Sequence, residues 1–477
     1  MAETDVLIVG GGPVGLTARA LLRRWNVRTL LIEKHAELSP FPRSRLVNVR
    51  SMEIFRELDL AAEITARAFA PSYGRVRFRD TLRDDDFASA ALVGVHDPVP
   101  ESPEVGVVTS QDRLEPILLA AADSETWFGA ELVDLAEDDD GVAATVVSDG
   151  GETRIRARYV LAADGANSTV RQRLGIGLSG PGKLAALTTI VFDAELDQVT
   201  AQPAGVYFTS HGTFLPLYPE GGWAMLAATP EDPETTDWAA LVAQAIGAGG
   251  AVKVARVQHW VMNAAIADRF RHGRILLAGD AAHALPILGG MGMNTGIADV
   301  HNLCWKLAGV LQGWDEPSLL ETYEAERHPI AQQTLTQTVA NTQLALGVQA
   351  RRRAGETPAG TVELPWSDRY FAQLGLVLGA SYGEASEPPG TDYVPNPSPG
   401  HRLPHAWLAD GRSTLDSCGA TFALLTPDPA RWRDQRAGAW PLQVETLPRA
   451  LAGQFGLGPH DALLVRPDSH IDSRLTG

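Results

Sequence analysis

One segment constrains the chain more than any other. Residues 5–15, DVLIVGGGPVG, run from a short β-branched apolar stretch straight into a glycine turn. Gly10, Gly12 and Gly15 satisfy G-x-G-x-x-G, and Pro13 opens the helical pattern that continues through Leu16, Ala20 and Leu21. A second apolar run, VRTLLIEK, ends on Glu33 and Lys34, with the acid eighteen residues beyond Gly15. Strand, turn, helix, strand and acid, in that order, make a dinucleotide cradle. Gly10 permits the tight turn, Gly12 lets backbone reach a pyrophosphate, and Gly15 lets the helix pack closely on the strand. The helix N-terminus offers free N–H groups to phosphate. Glu33 is spaced to accept hydrogen bonds from ribose hydroxyls. A free 2′-hydroxyl is therefore expected, hence FAD or NAD in this cradle rather than NADP.

Two more apolar runs end the same way. RYVLAADGANSTVR (158–171) reaches Asp164-Gly165 before a helix start at Ser168, and RILLAGD (274–280) reaches Gly279-Asp280. Beyond Asp280 the segment 289–296 holds four glycines, Gly289, Gly290, Gly292 and Gly296, which implies close approach of a partner to bare main chain. Three such strands predict one shared sheet whose carboxyl edge holds a long ligand.

Net charge is −18, which argues against nucleic acid or an anionic membrane surface as a partner. No apolar run is long enough to span a bilayer. MAETDVLIVGGG carries acids before its apolar run, unlike a signal peptide, so a cytoplasmic protein is expected. The two cysteines, Cys304 and Cys418, show neither disulfide nor metal spacing, and no metal site is expected.

With these motifs in place, the chain resembles the class A flavoprotein monooxygenases, the para-hydroxybenzoate hydroxylase and phenol hydroxylase superfamily. It is most similar to the branch that hydroxylates polyketides and other aromatic natural products. GGGPVG (10–15), DGANSTVR (164–171), GDAAH (279–283) and GGMGMNTG (289–296) carry the resemblance, which covers nearly the whole chain. It implies that Gly10, Gly12, Pro13, Gly15, Glu33 and Lys34 serve the ADP half of FAD, and that Arg43 reaches the pyrophosphate region. Gln111 and Arg113 match residues near the ribityl chain. Asp164 touches FAD, Asp280 bonds the ribityl chain, and Gly292, Met293 and Asn294 lie at the flavin pyrimidine edge. It further implies reduction by NADPH or NADH, reaction with O2 to a flavin C4a-hydroperoxide, and hydroxylation of a polycyclic aromatic substrate. Baeyer–Villiger oxygenation, or a flavin dehydrogenase without oxygen insertion, stands as the alternative. Monomer and homodimer are both left open.

The chain departs from its relatives at two positions. The proline they carry before the glycine pair falls here on Ile287, with Pro286 one residue early. Arg45 stands where phenol hydroxylases place an aspartate base. An arginine cannot be a base at neutral pH, but it can stabilise a phenolate.

The expected fold class is α/β: a Rossmann-like FAD-binding domain (1–75, 100–178, 272–345), an inserted antiparallel-sheet substrate domain (76–99, 179–271), and a small thioredoxin-like C-terminal domain. Alternation in the inserted region offers Phe208, Phe214, Tyr218 and Trp223 as substrate-lining residues, and His211 as a proton acceptor. Residues 346–398 form a helical segment and a Pro/Gly-rich linker. Residues 399–477 form the C-terminal domain, without C-x-x-C.

Overall fold

The computed structural model describes residues 2–196, 199, 201–247, 251–356, 364–367, 369–383, 392–433 and 440–477. Residues 384–391 of the expected linker lie outside these.

The first sheet is built on the strands read from sequence. Its spatial order is Arg271–His272, Ile275–Leu277, Gly151–Ala162, Ala2–Val9, Thr29–Glu33 and Glu125–Phe128. The last five are mutually parallel. Val6, Leu7, Ile8, Leu31 and Leu161 are fully enclosed, as expected for a parallel strand covered on both faces. From Ala2–Val9 the chain crosses to Thr29–Glu33 on one side, and it later adds Gly151–Ala162 on the other. The strand order thus reverses at the carboxyl end of Ala2–Val9, where such sheets open a crevice. Helices Pro13–Arg24 and Met291–Gln312 pack together beside it.

The second sheet has eight strands, mostly antiparallel, ordered His283–Ala284, Lys253–Ala267, Leu178–Asp193, Gly221–Ala228, Thr213–Tyr218, Val206–Phe208, Arg75–Phe78 and Ala88–Ala91. Cross-strand register separates its faces. Tyr207, Phe214, Met225, Ile190 and Val257 oppose one another in turn, and so do Phe208, Thr213, Leu226, Thr189 and Gln258. Paired residues share a face. The first set belongs to a core with Phe192, Trp223, Val242 and Ile246 under helix Trp238–Ile246. The second set lies on the opposite face, where Phe208 and Phe78 form a cluster against which Leu288 of the glycine-rich loop packs. That face looks toward the crevice.

Parity and burial together correct three sequence expectations. Phe214 and Trp223 point away from the crevice into the helix-covered core. Phe208 is buried, stacked on Phe78 at 5.0 Å between ring centroids, so it closes the sheet edge rather than lining open space. Ring size alone does not mark a pocket wall, because burial of the larger apolar side chains is what holds the helix to the sheet.

Helix Glu321–Arg353 follows Met291–Gln312 and runs past the second sheet. A third sheet, Leu442–Thr446, Phe422–Thr426, Ala462–Val465 and Ile471–Leu475, forms the C-terminal unit. Buried ion pairs dock it. Arg402 donates to Glu53 of helix Val49–Glu57 at 2.9 Å, and Arg466 donates to Glu326 at 2.7 Å.

Phe214 is fully buried. Phe214→Ala is therefore expected to destabilise the protein by about 3–5 kcal/mol, seen as a lower urea midpoint. An unchanged midpoint would return Phe214 to the crevice.

Candidate active site

The three motifs meet because their glycines let backbones touch. Gly10 adopts φ +110°, and a methyl group there would collide with the Ala163 carbonyl beside Asp164. A methyl at Gly15 would collide with the Gly10 carbonyl, and one at Gly296 would stand 2.8 Å from the Gly279 Cα. Gly12 and Gly292 differ from these, because a methyl at either meets nothing within 4 Å. Both border open space at a helix start, where free N–H groups face outward.

Hydrogen bonds then fix the motifs to one another. Glu33 accepts from the Gly11 N–H at 2.7 Å and from the His35 N–H at 2.9 Å. Arg171 of the second motif donates to the Ala281 carbonyl of the third at 2.9 Å. Asp164 accepts from the Val170 N–H at 3.1 Å through one oxygen, while the other is buried without a partner. Enclosure raises its carboxyl above the usual range, against the pull of Ser168 and the Val170 N–H. Asp280 opens to solvent yet lies deep between protein walls. That enclosure raises its carboxyl, opposed by His283 and Arg43, and no described residue hydrogen bonds it. A carboxylate both accessible and enclosed sits on the floor of a cleft.

Beneath Asp280 lies a network that the sequence analysis passed over. Asp299 accepts from the Gly279 N–H at 3.2 Å, from His283 Nε2 at 2.6 Å and from Arg327 Nε at 2.9 Å. Burial raises the Asp299 carboxyl, but His283 and Arg327 outweigh it and hold the pKa low. Removing one partner of such a buried pair typically costs about 3–5 kcal/mol. The turn that presents Asp280 is therefore held from below by charge.

Asn294 acts through its side chain. Its amide donates to the Leu46 and Gly290 carbonyls at 2.8 and 2.6 Å and accepts from the Asn48 N–H at 2.9 Å, clamping the segment after Arg45 to the glycine loop. The loop itself turns on a Gly290 N–H to Ile287 carbonyl bond of 3.1 Å, with Pro286 buried and Ile287 exposed. Met293 is half-buried nearby, while Lys34 and Arg43 are exposed. The Arg43 guanidinium lies 5.7 Å from the Phe41 ring centroid.

Helix Gln111–Ala120 forms another wall. Gln111 donates to Glu115 at 2.7 Å, and Ser110 at the helix start has a buried hydroxyl without a partner. Arg113 turns toward the second sheet, pairing with Glu220 at 2.5 Å and lying 4.7 Å from the Tyr218 ring centroid. Tyr218 donates to Asp112 at 2.7 Å, and burial pushes its phenol up to about 12. It is the one proposed lining aromatic that reaches this wall. His211 does not; it stands exposed in the turn between Phe208 and Thr213, beside the end of helix Glu321–Arg353. The half-exposed Thr189, Leu215, Leu226 and Trp260 occupy the sheet face that looks toward the crevice. Choosing residues by strand parity instead of ring size selects them.

The site therefore offers a glycine turn at a helix start, an acid beyond the second strand, a carboxylate on the cleft floor, and a second helix start at Gly292. These fit an extended dinucleotide lying along the sheet edge. Residues 3–338 match the family model for an FAD binding domain, and residues 396–474 match the aromatic-ring hydroxylase C-terminal model.

The chain belongs to the class A FAD-dependent aromatic monooxygenases.

It is 34% identical to the tetracenomycin B2 monooxygenase-dioxygenase of Streptomyces olivaceus, over 98% of this chain and 94% of that one. It is also 34% identical to aklavinone 12-hydroxylase DnrF of Streptomyces peucetius, over 94% and 95%. Among solved structures, the flavin-dependent monooxygenase PieE with FAD and substrate superposes with TM-score 0.88 at 30% identity, covering 99% of this chain and 96% of that one. Aklavinone-11 hydroxylase with FAD and aklavinone gives 0.84 at 31%, with the same coverage. This aromatic hydroxylase thus has the fold its motifs imply, and no helix among its described residues is long and apolar enough to cross a membrane.

Glu115 gives the hydroxylase a pH signature. It is buried with one oxygen unpartnered, and burial pushes its carboxyl up to about 7, opposed by Gln111. Its folded pKa lies above its unfolded value, so its contribution to stability is full at low pH. That contribution is lost as pH rises from about 4.5 through about 7. Glu115→Gln should match wild type in unfolding free energy near pH 4. It should exceed wild type above pH 8 by about 3 kcal/mol at most. Parallel curves across that range would show that Glu115 does not titrate there.

Proposed function

We propose that this enzyme hydroxylates a polycyclic aromatic substrate of polyketide type, consuming NADPH or NADH and O2. The placement of Gly12, Asp280 and Gly292 along the carboxyl edge of the first sheet, beside the half-exposed face of the second, carries the reading. Relatives that act on tetracenomycin B2 and aklavinone support the substrate class.

FAD, when bound, supplies the redox chemistry: two electrons from the nicotinamide, and activation of O2 at flavin C4a so that one oxygen atom reaches the ring. The chain's residues hold and orient it. Gly10, Gly12 and Gly15, with the helix start at Pro13, would receive the pyrophosphate. Glu33 would exchange its bonds to Gly11 and His35 for ribose hydroxyls, flanked by Lys34. Arg43 and Gln111 border the path toward Asp280, which would accept from the ribityl hydroxyls beside Asp164. The N–H groups around Gly292, Met293 and Asn294 would favour negative charge on the reduced pyrimidine edge. Arg113 and Tyr218 close the wall toward the substrate, and Thr189, Leu215, Leu226 and Trp260 would line it. His211 has no part in this reading.

Purified protein given NADPH, labelled O2 and a panel of polycyclic phenols and quinones should yield product carrying one labelled oxygen on a ring. A product oxidised without label would replace hydroxylation with dehydrogenation, and label in a new ester would indicate Baeyer–Villiger chemistry. Asp280→Ala should lower FAD occupancy by about tenfold or more at limiting FAD, a loss of one or two charge-assisted hydrogen bonds. Full occupancy would remove Asp280 from the cofactor site.

A further inference from the structure

The C-terminal unit does not close flush against the rest of the chain. A cavity of about 30 Å3 lies where it meets helices Val49–Glu57, Met291–Gln312 and Glu321–Arg353 and the segment 377–382. Its polar lining is Arg50, His301, Arg327, Tyr382, Arg402 and His470, and the other walls are alanine, valine and leucine. Arg402 and His470 come from the C-terminal unit, and the other four from the body of the molecule. Three guanidinium groups and two imidazoles therefore face one small space, and no carboxylate lines it.

The acids of this junction stand behind its walls and are committed there. Glu53 accepts from Arg50 at 2.8 Å and from Arg402 at 2.9 Å, one carboxylate shared by two guanidinium groups. Asp299 holds Arg327 Nε at 2.9 Å and His283 as well. Glu57 holds His301 Nε2 at 2.8 Å, and Asp468 pairs with Arg466 at 2.5 Å. Donors are left over on the cavity side. Arg327 carries five N–H groups. Beyond Asp299 it reaches, among the described residues, only the Tyr382 hydroxyl at 3.4 Å and the Thr295 carbonyl at 3.3 Å. Both contacts are long for N–H···O bonds. A water in this space would turn its own hydrogens toward cations, whereas a small anion accepts from every side. The volume suits about two waters or a single halide ion. Phosphate and sulfate are too large for it.

We propose that this junction is a halide site that takes chloride, separate from the flavin cleft, and that the ion fastens the C-terminal unit to the FAD-binding domain. The site is complete only when the C-terminal unit is docked, because Arg402 and His470 belong to that unit. Chloride therefore stabilises the docked form by mass action. Arg327 meets the ion with N–H groups that Asp299 does not use. The side chain that helps hold the Gly279 turn from below thus also senses the ion.

The test uses FAD-loaded enzyme at constant ionic strength, with sodium chloride or bromide replacing sodium gluconate, whose anion is too large for the cavity. The thermal midpoint should rise with either halide and level off, as binding to a single site in the folded state requires. Ala298→Leu fills the cavity from helix Met291–Gln312 without removing a charge, and Ala380→Val fills it from segment 377–382. Each should raise the half-saturating halide concentration about tenfold or more, because the added carbons take the ion's volume, and each should keep its FAD. Crystals of wild type soaked in bromide should show an anomalous peak between Arg50, His301 and Arg327. A midpoint that rises equally in gluconate, or that climbs without levelling off, reduces the effect to general salt and overturns the site. An undiminished halide response in either variant also overturns it. Should a variant not fold, the bromide peak in wild type decides: no peak in this cavity sinks the proposal.

Discussion

Backbone packed against backbone governs this active site. Three glycines, Gly10, Gly15 and Gly296, stand where a single methyl group would strike main chain, of another motif at Gly10 and Gly296 and of Gly10 itself at Gly15. They bring the ends of strands Ala2–Val9, Gly151–Ala162 and Ile275–Leu277 to a common edge. Substitution at any of them would separate the motifs before it touched a ligand. Gly12 and Gly292 obey another constraint, since nothing in the protein lies over them. A glycine kept where there is room for a side chain points to something outside the chain that needs that room.

Charge does the remaining positioning, and it does so below the surface. Asp299 holds the Gly279 turn from beneath through His283 and Arg327, and Arg327 in turn donates to the Thr295 carbonyl in helix Met291–Gln312 at 3.3 Å. Farther out, Arg50 and Arg402 share Glu53, joining the C-terminal unit to the helix that follows Arg45. In water such pairs contribute little, but once buried they are costly to break from one side. The glycines set how near the motifs come, and these pairs keep the turn from sliding.

Much of this was legible in the chain. Parallel strands buried on both faces read as continuous apolar runs, and Gly-x-Gly and Asp-Gly mark the turns at their ends. The antiparallel sheet was legible as a sheet but not by face, because alternation gives parity without saying which side faces the ligand. Phe214 and Trp223 look like pocket walls until register pairs Phe214 with Met225 and Trp223 with Phe192 in the core under helix Trp238–Ile246. Asp299 and Arg327 were invisible for a different reason. Each reads as one more polar residue on a long helix, and only tertiary packing brings them together across 28 positions. Local patterns announce backbone geometry, whereas long-range pairing of buried charge has no local pattern.

The acidity of the whole molecule sharpens the contrast at its centre. With a net charge of −18, the outer surface favours no polyanion, yet Arg45 is held with no carboxylate partner within bonding reach. Such a cation costs several kcal/mol to bury, offset here by the Thr109 carbonyl, the Phe69 ring and the charge of Asp112, which itself accepts from Tyr218. Both terminal nitrogens of Arg45 are buried without a hydrogen-bond partner among the described residues. A buried cation kept without a carboxylate is a local cost, and such costs are expected where a site works rather than where it only packs.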